Sequence, residues 1–178
     1  MTFLQVGYEL PKTGGGYMKL EKGEQTFRVL SSAVVGWQYW TDEKKPVRLR
    51  EYPKKTPQDM RDDSKAKHFW AFVVWNYATG AVEILEITQS SIQKAMLTLV
   101  NDDEWGDPKQ YDVKITRSGD GLDTEYNITP RPKKELPAEA VTAYEDKAIN
   151  LDALFTGGNP FDEADEDATE SPFVAPSF

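Results

Sequence analysis

Apolar and polar residues alternate with a two-residue period through much of the first 130 positions, and that period predicts strands. Between Thr26 and Ser31, Phe27 and Val29 alternate with Arg28 and Leu30, and Val34 to Thr41 follows as a segment carrying Trp37, Tyr39 and Trp40. After the turn Asp42-Glu43-Lys44-Lys45-Pro46, Val47 and Leu49 alternate with Arg48 and Arg50. This sets two aliphatics toward a core and two arginines on the opposite face. The run Lys67 to Tyr77 holds five aromatic residues among β-branched ones and reads as a central strand. Both of its faces are apolar or aromatic: Phe69, Ala71, Val73, Trp75 and Tyr77 on one, His68, Trp70, Phe72, Val74 and Asn76 on the other. One face can be core. The other must be covered by protein or by a flat ligand that stacks on rings.

The chain turns at Ala78-Thr79-Gly80 and returns as Val82 to Thr88, a hairpin. The period then changes: Ile92, Ala95, Met96, Leu99 and Val100 mark one face of a helix from Ser90 to Val100, with Thr88 or Ser90 able to cap its start. This stripe is expected to be core packing. Tyr111 to Arg117 and Leu122 to Thr129 are two further strands, joined by the turn residues Ser118-Gly119-Asp120-Gly121. Strands, a hairpin, one helix and a second hairpin, without βαβ spacing, predict a mainly β fold. The expected architecture is an antiparallel barrel of the oligonucleotide-binding kind with one inserted helix, a short C-terminal helix and a disordered acidic tail. A β-sandwich with a stray helix is the competing architecture. The expected division is a flexible arm over 1–23, where a glycine triplet lacks the GK[ST] of a phosphate loop, and a binding domain over 24–130. A linker and helix over 131–150 and a disordered tail over 151–178 complete it.

Charge sharpens this division. The chain carries a net −9, yet every basic residue lies at or before Lys147 and seven acids follow it with no base among them. Between Lys44 and Lys67, nine Lys or Arg residues face four acids, a local +5. The polar, twice proline-interrupted stretch 51–66 reads as a mobile loop that carries four of these bases. Cysteine is absent and His68 is the single histidine, which excludes disulfides, thiolate catalysis and zinc sites built on Cys or several His. Acids cluster at Asp62-Asp63 and at Asp102-Asp103-Glu104 with Asp107, but neighbouring loop acids rarely converge on magnesium. No enzymatic activity, metal or cofactor is expected. The chain lacks a signal-like start and an apolar run of membrane-span length, so it is expected to be soluble and intracellular.

Rings beside segregated positive charge are what a single nucleic-acid strand requires, charge for phosphates and ring faces for bases. Arg28, Arg48, Arg50, Lys54, Lys55, Lys65 and Lys67 are the candidate phosphate contacts. Trp37, Tyr39, Trp40, Trp70, Phe72 and Trp75 are the candidate stacking residues, with Trp70 and Phe72 preferred because their face ends in polar His68 and Asn76.

Phe27-Arg28-Val29-Leu30, Gly36-Trp37, Pro46-Val47-Arg48, Lys67-His68-Phe69-Trp70-Ala71, Ile87 to Ile92, Trp105-Gly106-Asp107 and Thr124-Glu125-Tyr126, in that order and spacing, resemble the single-stranded DNA-binding proteins of tailed bacteriophages. The resemblance covers roughly residues 15 to 140, and the acidic tail matches in character. It implies an oligonucleotide-binding fold and a protein that coats unpaired DNA during replication, recombination and repair in the cytoplasm of an infected host. It further implies recruitment of replication or recombination partners through Asp162, Glu163, Asp165, Glu166, Asp167, Glu170, Phe173 and Phe178, and is compatible with self-association on DNA. Some members hold a zinc ion with Cys and His, which this chain lacks the residues to do. The alternative reading is an acidic interaction or virion protein that touches no nucleic acid and keeps its tryptophans as core or interface residues.

Overall fold

The computed structural model describes residue 3, residues 16–61 and residues 65–161. Seven strands form one antiparallel sheet: β1 (Gly23–Val29), β2 (Val34–Trp40), β3 (Pro46–Leu49), β4 (Lys67–Asn76), β5 (Ala81–Ile87), β6 (Tyr111–Ser118) and β7 (Glu125–Lys133). Three helices accompany them: α1 (Ser90–Val100), α2 (Ala138–Lys147) and α3 (Ala153–Thr156). The fold is mainly β and consistent with a barrel-like arrangement, as the alternation predicts. Among the described residues β5 and β7 are not paired with each other.

β4 is the organising strand. One of its edges pairs with β5 from Trp70 to Asn76. The other pairs first with β2, from Lys67 to Ala71, and then with β1, from Val74 to Asn76. β1 continues the sheet to β6 and β7, and β2 continues it to β3. The Phe72 and Val74 face of β4 looks into the main core beside Phe27, Val29, Leu85 and Ile115. α1 caps this core with buried Ile92 and Met96, as its stripe predicts. Its N-cap is Gln89, which makes no side-chain capping bond, rather than Thr88 or Ser90.

The second face of β4 is covered by the chain itself. Val73 and Trp75 lie under Ala140, Leu136 and Tyr144 from α2 and its approach, while Phe69 and Ala71 lie under Leu154 and Phe155 of α3. The Phe155 ring centres 5.8 Å from that of Phe69. It also presses on Gly36, where any β-carbon would meet the Phe155 ring and the Leu49 carbonyl. Residues 150–161 are therefore not the beginning of a disordered tail: Asn150 N–H donates to the Pro160 carbonyl at 2.9 Å, and Phe161 meets Tyr17 edge-on at 5.6 Å. Their polar composition hides a few apolar residues, Leu151, Leu154 and Phe155, that supply the missing cover.

Two other expected boundaries shift. β7 runs through the proline-basic stretch to Lys133; among the described residues it pairs with β6 alone, and an edge strand tolerates proline where the missing donor would face solvent. The expected N-terminal arm is docked from Gly16 onward: Met18 N–H donates to the Ile84 carbonyl and Ile84 N–H to the Gly16 carbonyl, both at 2.9 Å. Among the described residues, no helix is long and apolar enough to cross a membrane.

Candidate nucleic-acid interface

Toward its N-terminus, the core face of β4 runs out of the core. In the β2–β4 register Trp70 opposes Val35 and His68 opposes Trp37, and directly opposed residues share a face. Val35 is exposed, and Trp37, His68 and Trp70 are partly buried. The Trp37 ring lies 4.9 Å from His68, tilted by 51°, and 4.9 Å from Tyr52, edge-on at 88°. Tyr52, 60% exposed, extends this strip of rings off the sheet and into the basic loop.

The charge follows directly. Tyr52, Lys54, Lys55 and Lys65 line an open concavity of about 470 Å³. Lys54, Lys55, Lys65 and Lys67 are exposed, and none forms an ion pair with a described residue. Tyr52 and three lysines without an ion-pair partner among the described residues therefore lie side by side, whereas Lys67 opposes Gln38 and sits on the other face of the sheet from the strip. Tyr52 itself was not singled out by the sequence pattern. Its signal was its place between Glu51 and Pro53 in that loop, where no core contact accounts for an aromatic ring.

The arginines take other roles. Arg28 is 1% exposed: its Nε donates to Asp112 Oδ1 at 2.8 Å, and its Nη1 and Nη2 to the carbonyls of Lys109 and Lys134 at 3.3 and 3.0 Å. It cannot reach a phosphate and is corrected to a structural role. Asp112 also accepts from the Tyr77 hydroxyl at 2.8 Å and stands 3.1 Å from Lys134 Nζ. Burial, and then the bond to Asp112, push the Tyr77 phenol up to about 12. Arg48 is held by Glu86 at 2.7 Å. Arg50 pairs with Asp152 at 3.1 Å and lies 4.1 Å over the Phe155 ring, so it clamps α3 onto the sheet.

The remaining candidate rings divide by burial. Phe72 is in the main core and Trp75 in the cluster under α2, so neither offers a face to a base. Tyr39 is buried with its hydroxyl donating to Asp59 Oδ1 at 2.9 Å, and burial raises its pKa. Trp40 is 42% exposed but shares the opposite sheet face with Pro46, away from the strip. Of the six expected stacking residues, Trp37 and Trp70 remain on the strip. Asp62 and Asp63 and the tail residues Asp162, Glu163, Asp165, Glu166, Asp167, Glu170, Phe173 and Phe178 lie outside the described residues.

The acidic loop 101–107 uses its carboxylates locally. Asp102 Oδ1 accepts from the N–H groups of Glu104 and Trp105 at 2.7 and 3.3 Å, and Asp107 Oδ1 from that of Lys109 at 3.0 Å. Among the described residues no group of three metal-ligating side chains converges. Comparisons with protein-family models, curated proteins and solved structures found no match to this chain.

Proposed function

We propose that this protein binds single-stranded DNA without sequence preference, coating and protecting unpaired DNA during phage replication and recombination. The observation that carries the reading is the continuity of Trp70, His68, Trp37 and Tyr52 with Lys54, Lys55 and Lys65, which form no ion pair with a described residue. Stacking accepts every base, and lysines meet phosphates as mobile point charges, so the pair of features suits a binder that must cover any sequence. The acidic tail recruits replication or recombination proteins in this reading. As a tethered anion with aromatic residues it also competes with DNA for the basic loop, at an effective concentration on the order of millimolar.

Titration of the full chain with oligo-dT, followed by tryptophan fluorescence, tests the reading. Quenching that weakens steeply with salt is expected, because each neutralised phosphate releases counterions. Replacing Lys54 and Lys55 together with Ala is expected to flatten the salt slope by about one to two units. An unchanged slope moves the strand elsewhere on the surface. A second reading, an interaction protein that touches no nucleic acid, draws on the burial of Phe72, Trp75 and Tyr39 in the core. It requires fluorescence that oligo-dT leaves unchanged.

A further inference from the structure

Beside Trp70, at the end of the strip away from Tyr52, the surface opens into a cavity of about 270 Å³ between the β1–β2 connection, the last turn of α1 and the loop before β6. Its floor is apolar, made by Val29, Phe72 and Met96, and its walls are the Trp70 ring and Val100. Its rim is polar. Ser32 and Lys109 stand there together, with Lys109 Nζ 3.4 Å from the Ser32 hydroxyl, and Asp107 is occupied in turning the chain toward Lys109.

We propose that this cavity is a slot for one unpaired base, at which the strand leaves the aromatic strip. The inference rests on the single-strand reading above and adds to it a fixed end point. Three observations support a base as occupant. The volume lies just below the range of drug-sized pockets, about 300–1,000 Å³, and so suits a single ring system rather than a longer ligand. The cavity shares the Trp70 ring with the strip, so a strand running along His68 and Trp37 reaches it without leaving the surface. A flat apolar interior with a lysine at the mouth matches a nucleotide's own division into a base and a phosphate, and Lys109 has no acid within ion-pair distance among the described residues. Ser31 takes no part: its hydroxyl already donates to the Ser32 carbonyl and accepts from Val73 N–H, each at 2.9 Å.

The test fills the slot from outside. Val100 is 43% exposed and Ala33, on the opposite rim, is also exposed, so Val100→Trp and Ala33→Phe crowd the cavity without entering the core. Each is expected to bind oligo-dT about tenfold more weakly than the parent chain at an unchanged melting temperature, the loss of one stacked base. A 2-aminopurine substituted within the oligonucleotide is expected to be quenched by the parent chain and to recover part of its emission with Val100→Trp. Parental affinity in both folded variants overturns the slot. If Lys54→Ala/Lys55→Ala weakens binding at the same time, the single-strand reading survives that result. If the parent chain fails to bind oligo-dT, slot and reading fall together.

Discussion

The two faces of β4 are built from the same kinds of residue and end differently. On one, Phe69, Ala71, Val73 and Trp75 are all buried, yet what buries them is not a barrel interior but residues 136–161, returning from the far end of the chain. On the other, Val74 and Phe72 are core, while Trp70 and His68, one and two steps further along the face, reach the surface beside exposed Val35. Aromatic content alone does not separate a binding face from a packing face. What separates them is how much of the face the covering segment leaves open. α2 and α3 with their flanking residues bury Phe69, Ala71, Val73 and Trp75 on theirs, whereas α1, whose Gln93 Nε2 donates to the His68 carbonyl at 3.2 Å, leaves the Trp70 and His68 side chains half-buried.

The sharpest way to break this comparison is to truncate one ring on each face. Trp75 is 4% exposed among Leu30, Val82 and Ala140, so Trp75→Ala is expected to cost about 3–5 kcal/mol of stability, read by thermal or urea unfolding, with DNA affinity of the folded fraction retained. A stable Trp75→Ala chain that has lost affinity would reverse the two faces.

Smaller in size, and opposite in kind, is the effect expected at the open end. Tyr52→Ala removes a ring that contacts Trp37 and little else, so it is expected to weaken oligo-dT binding by about 1–3 kcal/mol. Its stability is expected to change by less than about 0.5 kcal/mol. Fluorescence titration and a melting curve on the same sample check both halves. A destabilised Tyr52→Ala chain with parental affinity would make the strip a packing feature like its counterpart.

This comparison also marks how far the sequence reaches. The alternation in β4 showed that both faces needed cover, and the alternation at 47–49 separated Arg48, opposite Gln38, from Val47 and Leu49, opposite Tyr39 and Trp37. The helical stripe of α1 was equally legible, because local periodicity encodes which side of an element is apolar, although Val100 at its end is exposed rather than core. Hidden were the partners. Arg28 reads as a polar member of an alternating strand, but Asp112, 84 positions away, turns it into a buried ion pair. Arg50 is 102 positions from Asp152, and the apolar cover for Phe69 sits in a stretch whose composition speaks for disorder. Charge and strand alternation point the strand arginines at phosphates, and tertiary pairing withdraws them. The loop lysines stay available for phosphate contact, because no described acid reaches them.

The smallest expected effect lies where the covered face ends, at Tyr77. Its hydroxyl donates to Asp112, the same carboxylate that holds Arg28 and faces Lys134. A phenol with its pKa raised from 10.0 to about 12 holds its proton more tightly in the folded chain than in the unfolded one. Its contribution to stability is therefore complete below about pH 10 and is lost as pH rises from there through about 12, since over that interval the unfolded state has already released the proton. Tyr77→Phe keeps the ring beside the α2 cluster and removes only the hydroxyl. It is expected to cost about 1 kcal/mol at neutral pH, the net value of one hydrogen bond, because Arg28 and Lys134 still satisfy Asp112. The variant should also lose less stability than the parent chain between pH 10 and 12 in urea unfolding. A parent and variant that fall in parallel across that interval would show that the alkaline loss comes from other groups, the buried Tyr111 among them, whose pKa burial also raises.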